Sequence, residues 1–200
     1  MTPERQRELL AVYRDGLLED TLPFWFPGSI DKEHGGFLLM RDRDGCILDT
    51  DKGMWQQCRF TWLLATLHSY IEPRKEWLDA AIHGIGFIDR HGFDEDGRMW
   101  FHVTRDGRPI RKRRYAFTET FGAIAYSALA KATGEGGFAQ KAIDLFHLAR
   151  QHFKDPSPNN HKFTQTRPTK SIGPPMILLS TAQELRANLD DHSFTRHVDE

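Results

Sequence analysis

Apolar and polar residues repeat with the period of an α-helix in several segments of the chain, and these segments are of two kinds. Segments of the first kind have apolar residues on one side and charged residues mostly on the other, which is typical of a helix on the outside of a protein. They are residues 3–19, 73–90 and 138–152. Segments of the second kind are apolar around most of their circumference, which predicts helices enclosed by protein. They are residues 49–67, 117–132 and 172–185. Outer and inner segments alternate, so the pattern predicts three helical hairpins.

Polar residues that open the inner segments recur about sixty residues apart, near Trp55, Tyr115 and Lys170, which indicates an internal repeat of the hairpin. If neighbouring hairpins pack side by side, the inner helices run parallel and their N-termini meet at one end. Helix N-termini present unpaired N–H groups and a partial positive charge. The pattern therefore predicts a shared cavity, suited to an oxyanion, at that end.

Short segments between the helices carry signals for turns and caps. Residues 44–45 (Asp-Gly) and 105–107 (Arg-Asp-Gly) each separate two short apolar runs, which predicts two β-hairpins because glycine tolerates the positive φ of such turns. Residues 49–51 are predicted N-caps of the first inner helix. Residues 190–200 resemble a further outer helix. Three hairpins would leave two apolar edges, which we expect further chain or a partner, such as a second copy in a homodimer, to cover.

The first inner segment carries a candidate site. Asp51, Trp55 and Arg59 are spaced i, i+4 and i+8, so they share one face of the helix. Burying polar groups of this kind without partners costs about 1 to 3 kcal/mol each, and more for a charge. Arg59 therefore either lines the predicted cavity or is held in a structural ion pair, and the spacing leaves both interpretations open.

The other two inner segments begin with further polar candidates. Tyr115 and Glu119 lie at the start of the second segment, and Arg167 and Lys170 lie just before the third. Among the ten histidines, His161 is the one that lies in a loop near the predicted cavity, with a solvated loop histidine as the alternative interpretation. The cavity is therefore predicted to combine cations with aromatic side chains.

The composition is that of a soluble globular protein, with 39% apolar and 28% charged residues and a mean hydropathy of −0.57. A net charge of −1 and a pI of about 6.8 give no electrostatic basis for binding nucleic acid or an anionic membrane, and we expect neither. Two cysteines are too few for a disulfide framework or a zinc cluster, and no glycine-rich phosphate loop is present, so we expect no metal and no cofactor. The charged, amphipathic first segment has no signal-peptide features, and we expect a cytoplasmic protein.

Three stretches together resemble the N-terminal half of the N-acylglucosamine 2-epimerase family, which also includes cellobiose 2-epimerases and aldose-ketose isomerases acting on mannose. They are DTDKGMWQQCRFTWLLATL at residues 49–67, RRYAFTETFGAIAYSALAKATGE at 113–135 and TRPTKSIGPPMILLSTAQEL at 166–185. The resemblance implies an all-α fold, an (α/α)6 barrel (toroid), to which this chain contributes about three of six helical hairpins plus short β-hairpins in the loops. It also implies that residues 1–200 are the N-terminal half of a single catalytic domain.

The resemblance further implies an isomerase that acts on a small-molecule sugar. Members remove the proton next to the carbonyl of the open-chain sugar, form an enediolate and return a proton to the other face or to the neighbouring carbon, which requires bases and a charge stabiliser. Arg59 matches the family's essential arginine, whose guanidinium would hold the developing oxyanion, and Tyr115 matches an aromatic position that packs against the sugar. The remaining substrate-binding candidates are Trp55, one turn before Arg59, and Glu119, Arg167 and Lys170.

Two departures from the family's pattern narrow the expectation. Cellobiose epimerases and mannose isomerases carry a histidine in the third inner helix, where this chain has Pro-Pro-Met-Ile at residues 174–177, so the N-acylglucosamine branch is the nearer match. The family's paired general acid and base, a histidine and a glutamate from the second half, have no counterparts before Glu200. We therefore expect residues 1–200 alone to have little or no activity.

Three alternatives stay open on the sequence. The first is an aldose-ketose isomerase of the same family. The second is an inverting glycosidase on the same type of barrel, which needs two carboxylates about 6.5 to 9.5 Å apart, with Glu119 as one candidate. The third is a non-catalytic, carbohydrate-binding half-barrel that lacks the bases.

Overall fold

The computed structural model describes residues 1–113, 115–154, 166–167, 169 and 171–199. Helices dominate, and short strands lie in the loops between them. The α-helices are α1 (Pro3–Leu10), α2 (Leu22–Trp25), α3 (Met54–Tyr70), α4 (Lys75–His91), α5 (Phe117–Thr133), α6 (Gly136–Lys154), α7 (Gly173–Leu189) and α8 (Thr195–Asp199). A π-helix (Ala11–Thr21) joins α1 to α2, and a 3-10 turn (His192–Phe194) precedes α8. The strands are β1 (Met40–Arg41), β2 (Ile47–Asp49), β3 (Lys52–Gly53), β4 (His102–Val103) and β5 (Pro109–Arg111).

The inner helices α3, α5 and α7 run in the same direction, with their N-termini at one end. At that end, Nε1 of Trp55 in the first turn of α3 donates to Oγ1 of Thr118 in the first turn of α5 (2.8 Å). At the other end, the hydroxyl of Tyr70 donates to Oδ1 of Asn188 in the last turn of α7 (3.0 Å). Asn188 Nδ2 donates in turn to Oγ of Ser127 in α5 (3.1 Å). These contacts confirm the predicted parallel arrangement of the inner helices.

The outer helices α4 and α6 each bury one apolar face, as their sequence pattern predicts. In α4 the buried side chains include Trp77, Ala81 and Ile88, and in α6 they include Leu145 and Phe146. α4 connects α3 to α5, and α6 connects α5 to α7. The chain therefore returns along the outside between successive inner helices. The hairpins predicted from periodicity are therefore present.

The first outer helix differs from its prediction in length and in packing. The helical stretch that begins at Pro3 continues through the π-helix to Trp25, past the predicted end at residue 19. Leu22 is the first residue of this stretch that is buried. Leu10, Val12 and Tyr13 remain exposed. The amphipathic pattern predicted a helix correctly, but its apolar side is covered only in part: Leu17 and Leu18 are half-buried against the core, and these three earlier apolar residues remain exposed.

Apolar side chains are exposed at both ends of the row of hairpins. At the first end they include Tyr13 and Ile71, and at the last they include Ile172 and Met176, which is 58% exposed. Large exposed apolar patches mark protein or membrane interaction sites or ligand-binding grooves. The two edges have the location that the sequence pattern predicts.

Two small antiparallel sheets lie beside the N-termini of the inner helices. β1 pairs with β2 across the predicted turn, where Gly45 has a φ of 87°. The other sheet has the order β3-β4-β5, with Lys52 opposite Val103. The predicted capping by residues 49–51 is wrong, because α3 begins at Met54 and its N-cap residue Gly53 makes no side-chain cap. Pairing with β4 holds the backbone of β3 extended, so the helix cannot begin earlier.

Candidate active site

The start of α3 is fixed by a buried ion cluster that the sequence analysis missed. Lys52 Nζ donates to Oδ2 of Asp31 (2.9 Å) and to the carbonyl oxygens of Gly35 and Arg105 (2.7 Å each). Arg105 donates from Nε and Nη2 to the two oxygens of Asp31 (3.0 Å each). The ammonium of Lys52 has therefore used its three donors, and α3 is tied to the 31–37 loop and to the turn of the second β-hairpin.

The charges of this cluster stabilise each other. Burial by itself would raise the pKa of the Asp31 carboxyl, but hydrogen bonds from Arg105 and Lys52 outweigh burial and hold this pKa well below its usual range. Burial lowers the pKa of Lys52, and the hydrogen bond and charge of Asp31 oppose that shift. Asp31 is therefore an ionised structural carboxylate. In the sequence, Lys52 has the pattern of a surface residue at a polar helix start. Its burial cannot be seen there, because its partners lie 21 and 53 residues away.

Gln57 connects α3 to the same loop by a second contact. Its Oε1 accepts from the backbone N–H of Phe37 and its Nε2 donates to the carbonyl oxygen of Phe37, both at 2.8 Å. The buried amide thus satisfies both backbone groups of Phe37, as a neighbouring strand would. Gln57 lies two residues before Arg59, so this contact orients the part of α3 that carries the candidate arginine.

Arg59 lies on the exposed face of α3, in an open groove of about 400 Å3. Its guanidinium carbon lies 5.5 Å from the ring centroid of Phe121 in α5. Among the described residues, no carboxylate forms an ion pair with Arg59, so the structure gives no support to the alternative of a structural ion pair. Trp25, Leu39, Gln56 and Trp62 also line this groove. A guanidinium whose donors face an open groove is available to an anionic or carbonyl oxygen of a ligand.

Trp55 forms the centre of an aromatic cluster next to Arg59. Its ring centroid lies 5.3 Å from that of Phe101, 6.0 Å from Phe117 and 5.4 Å from Phe121. Its indole N–H already donates to Oγ1 of Thr118 in α5, so Trp55 offers a ligand a ring surface rather than a hydrogen-bond donor. Its role in binding substrate stays a prediction.

Tyr115 lies at the edge of the same cluster. It is half-buried, and its ring centroid lies 6.2 Å from that of Phe117. Through Phe117 the Tyr115 ring is linked to Trp55, so the predicted aromatic residues from the first two inner helices lie in one continuous cluster. The structure thus brings Arg59, Trp55 and Tyr115 to the same end of the helices.

Glu119 has a different environment from the one expected of a substrate-binding residue. It is fully buried, forms an ion pair with Arg98 and accepts a hydrogen bond from the backbone N–H of Met99 (3.1 Å). A carboxylate with no exposed surface is poorly placed to act as one of the two acids of a glycosidase. Its partner lies in a loop 21 residues earlier, so helical spacing gave no sign of this pairing. The predicted contact with substrate stays untested.

The third inner helix contributes less to the described site. Arg167 is exposed, and its carbonyl oxygen accepts a hydrogen bond from Thr169 Oγ1 (3.2 Å). Lys170 and His161 lie outside the described residues. On α7 itself, Glu184 Oε2 accepts from Nε1 of Trp62 (3.0 Å), and this hydrogen bond links α7 to α3.

The described part of the chain also bears on other classes of site. That part contains no group of three histidine, cysteine or acidic residues able to hold a metal ion. Burial, and secondly the charge of Glu119, raises the pKa of the Cys58 thiol, which makes this thiol a poor nucleophile. In the ranges that the structure describes, none of the helices combines the length and apolar character needed to span a bilayer.

The geometry defines a class of protein in which parallel inner helices of a helical-hairpin barrel place a guanidinium in an open groove, next to an aromatic cluster. Comparison with known proteins identifies the family. The model of the N-acylglucosamine 2-epimerase (GlcNAc 2-epimerase) family matches residues 35–188, and the chain belongs to this family. The resemblance seen in sequence is thereby confirmed.

Several relatives show how far the similarity extends. The chain is 34% identical over 194 residues to the N-acylglucosamine 2-epimerase of Mus musculus, covering 91% of this chain and 46% of the mouse protein. It is 31% identical over 114 residues to a D-mannose isomerase of Marinomonas mediterranea, covering 55% of this chain and 27% of that protein. The chain spans about half the length of the curated N-acylglucosamine 2-epimerases that it matches.

A solved structure supplies the comparison of folds. The cellobiose 2-epimerase of Bacillus thermoamylovorans superposes with a TM-score of 0.79 at 19% identity, over 96% of this chain and 54% of that one. At this identity the likeness concerns the fold alone. The chain is a partial (α/α)6 barrel with small sheets in its loops, as predicted.

Proposed function

We propose that residues 1–200 are the N-terminal half of a single catalytic domain, and that the protein carrying them is a sugar 2-epimerase of the N-acylglucosamine/N-acylmannosamine type. The observation that carries the proposal is the guanidinium of Arg59, exposed in the groove beside the Trp55 cluster and without an ion-pair partner among the described residues. Membership of the family and the match to the mouse enzyme support the same activity.

In this proposal, Arg59 stabilises the negative charge that develops on the carbonyl oxygen when the proton on the neighbouring carbon is removed. A preorganised donor aimed at a developing oxyanion lowers the barrier because it needs no reorganisation during the reaction. Trp55 and Tyr115 pack against the sugar and orient it. Arg167 and Lys170 are further cationic candidates for binding the sugar. The general acid and base come from chain outside residues 1–200.

Solvent isotope exchange tests the proposal directly. The full-length protein is incubated in D2O with N-acylglucosamine or N-acylmannosamine, and deuterium at carbon 2 is followed by NMR. Incorporation together with formation of the 2-epimer is expected. Absence of exchange with every hexose and N-acylhexosamine tried would refute the proposal. Residues 1–200 alone are expected to give little or no exchange, because they lack the acid and base.

An aldose-ketose isomerase of the same family is the second candidate, supported by the 31% identity to the D-mannose isomerase. The same experiment separates the two, because an isomerase yields a ketose and an epimerase yields the 2-epimer. A protein that binds sugar without any exchange would instead be a non-catalytic carbohydrate-binding protein.

Location and assembly belong to the same proposal. The composition supports a cytoplasmic enzyme, and the apolar edges support burial against further protein, including a homodimer. Subcellular fractionation and light scattering of the full-length protein test the two statements.

A further inference from the structure

The guanidinium of Arg98 contacts the segment that carries Tyr115. Nη2 of Arg98 donates to the carbonyl oxygens of Arg113 (3.4 Å) and Tyr115 (3.3 Å). Nε of Arg98 donates to Oε1 of Glu119 in the first turn of α5. Nη1 lies 3.3 Å from Nε2 of His152 near the end of α6. One side chain therefore links the Tyr115 segment, an inner helix and an outer helix.

Arg98 is itself rigidly placed. Its side chain is 11% exposed, against 0% for its partner Glu119. Its backbone closes a tight turn, in which the N–H of Asp94 donates to the carbonyl oxygen of Arg98 (2.8 Å) and the N–H of Arg98 donates to Oδ1 of Asp96 (2.9 Å). A buried, charge-assisted contact from a fixed backbone orders its partners more strongly than a surface ion pair does.

Lysine cannot replace arginine in this arrangement. The planar guanidinium of Arg98 reaches acceptors in different directions, whereas an ammonium is a compact charge with a different donor geometry. A lysine at this position would keep a charge for Glu119 and lose the carbonyl contacts to residues 113 and 115. Arginine thus differs from lysine at this position in its contacts to the two carbonyl oxygens, and not in charge neutralisation alone.

We infer that Arg98 is a positioning residue, which fixes the Tyr115 segment against the aromatic cluster so that the Tyr115 ring is preorganised to pack against the sugar. The inference rests on the proposed function. It also reassigns Glu119, which acts through Arg98 as the buried anchor of the positioning contact instead of touching the substrate.

The test compares Arg98→Lys and Arg98→Met in the full-length protein. We expect KM for the sugar to rise about tenfold in Arg98→Lys, equivalent to about 1.4 kcal/mol of lost binding, with kcat changed less than about threefold. Backbone amides of residues 115–119 should exchange with D2O faster than in the wild type. We expect Arg98→Lys to remain folded, as judged by its thermal unfolding, and Arg98→Met to be the less stable of the two.

Arg108→Lys is the matched control, because it makes the same change at an arginine outside the turn that places Arg98. The Arg108 side chain is exposed, and its Nε donates to Oδ2 of Asp106 (3.1 Å). The control should leave both KM and the exchange of residues 115–119 unchanged. An Arg98→Lys variant with wild-type KM and wild-type amide exchange would overturn the inference. If the wild type processes no sugar, the proposed function fails, and amide exchange still decides whether Arg98 orders the segment.

Discussion

Lys52 and Arg59 lie seven positions apart in one stretch of chain, and the two cations have opposite environments in the structure. Lys52 is 1% exposed and forms an ion pair with Asp31, whereas Arg59 is exposed in a groove and contacts an aromatic ring. A cation with every donor satisfied stabilises the fold but has nothing left for a ligand. A cation without an ion-pair partner among the described residues contributes little to stability, and its donors are available for chemistry.

The largest effect on stability is expected at Lys52. Lys52→Met would leave the buried carboxylate of Asp31 with Arg105 as its remaining partner, and breaking a buried ion pair costs about 3 to 5 kcal/mol. We expect the free energy of unfolding in urea to fall by about 3 kcal/mol, at the lower end of that range. Lys75→Met, which removes an exposed pair with Asp79, is the control and should cost less than about 0.5 kcal/mol. Equal losses in the two variants would contradict the structural role of Lys52.

At Arg59 the effect should fall on activity. Arg59→Gln is expected to lower kcat for isotope exchange at carbon 2 by about 100- to 1000-fold, the usual loss when an oxyanion donor is removed. The free energy of unfolding should change by less than about 0.5 kcal/mol, because the side chain is exposed. Arg43→Gln, at an exposed arginine in the first β-hairpin, should leave exchange unaltered. A variant as active as wild type would remove Arg59 from the proposed mechanism.

The smallest effect is a dependence of stability on pH. Since the pKa of Asp31 is lower in the folded protein than its unfolded value of about 3.9, its stabilisation is complete above that value and is lost as the pH falls below it. The wild type should therefore lose more unfolding free energy between pH 5 and pH 3 than Asp31→Asn does. Asp79→Asn serves as the surface control and should follow the wild type. Parallel pH profiles for wild type and Asp31→Asn would show that Asp31 is not the titrating group.

Periodicity was a good guide to the helices and to the end at which the N-termini of the inner helices meet. The outer and inner helices and the shared face of Trp55 and Arg59 follow from spacing within single segments, and the parallel inner helices follow from the repeat between segments. Contacts between distant segments were missed. The start of α3 shifted from residue 49 to Met54 because β3 pairs with a strand about fifty residues away, which no local cap signal reveals. The burial of Glu119 depends in the same way on Arg98 from a preceding loop.

The amide of Gln57 has a consequence for how the protein tolerates change. Because this side chain forms hydrogen bonds with both backbone groups of Phe37, it joins the loop before the first sheet to the helix that carries Arg59. An insertion or deletion within residues 31–37 would have to break both hydrogen bonds or displace Gln57 together with the loop, although the loop itself supplies no predicted site residue. The conformation of this loop thus depends on a helix residue twenty positions downstream.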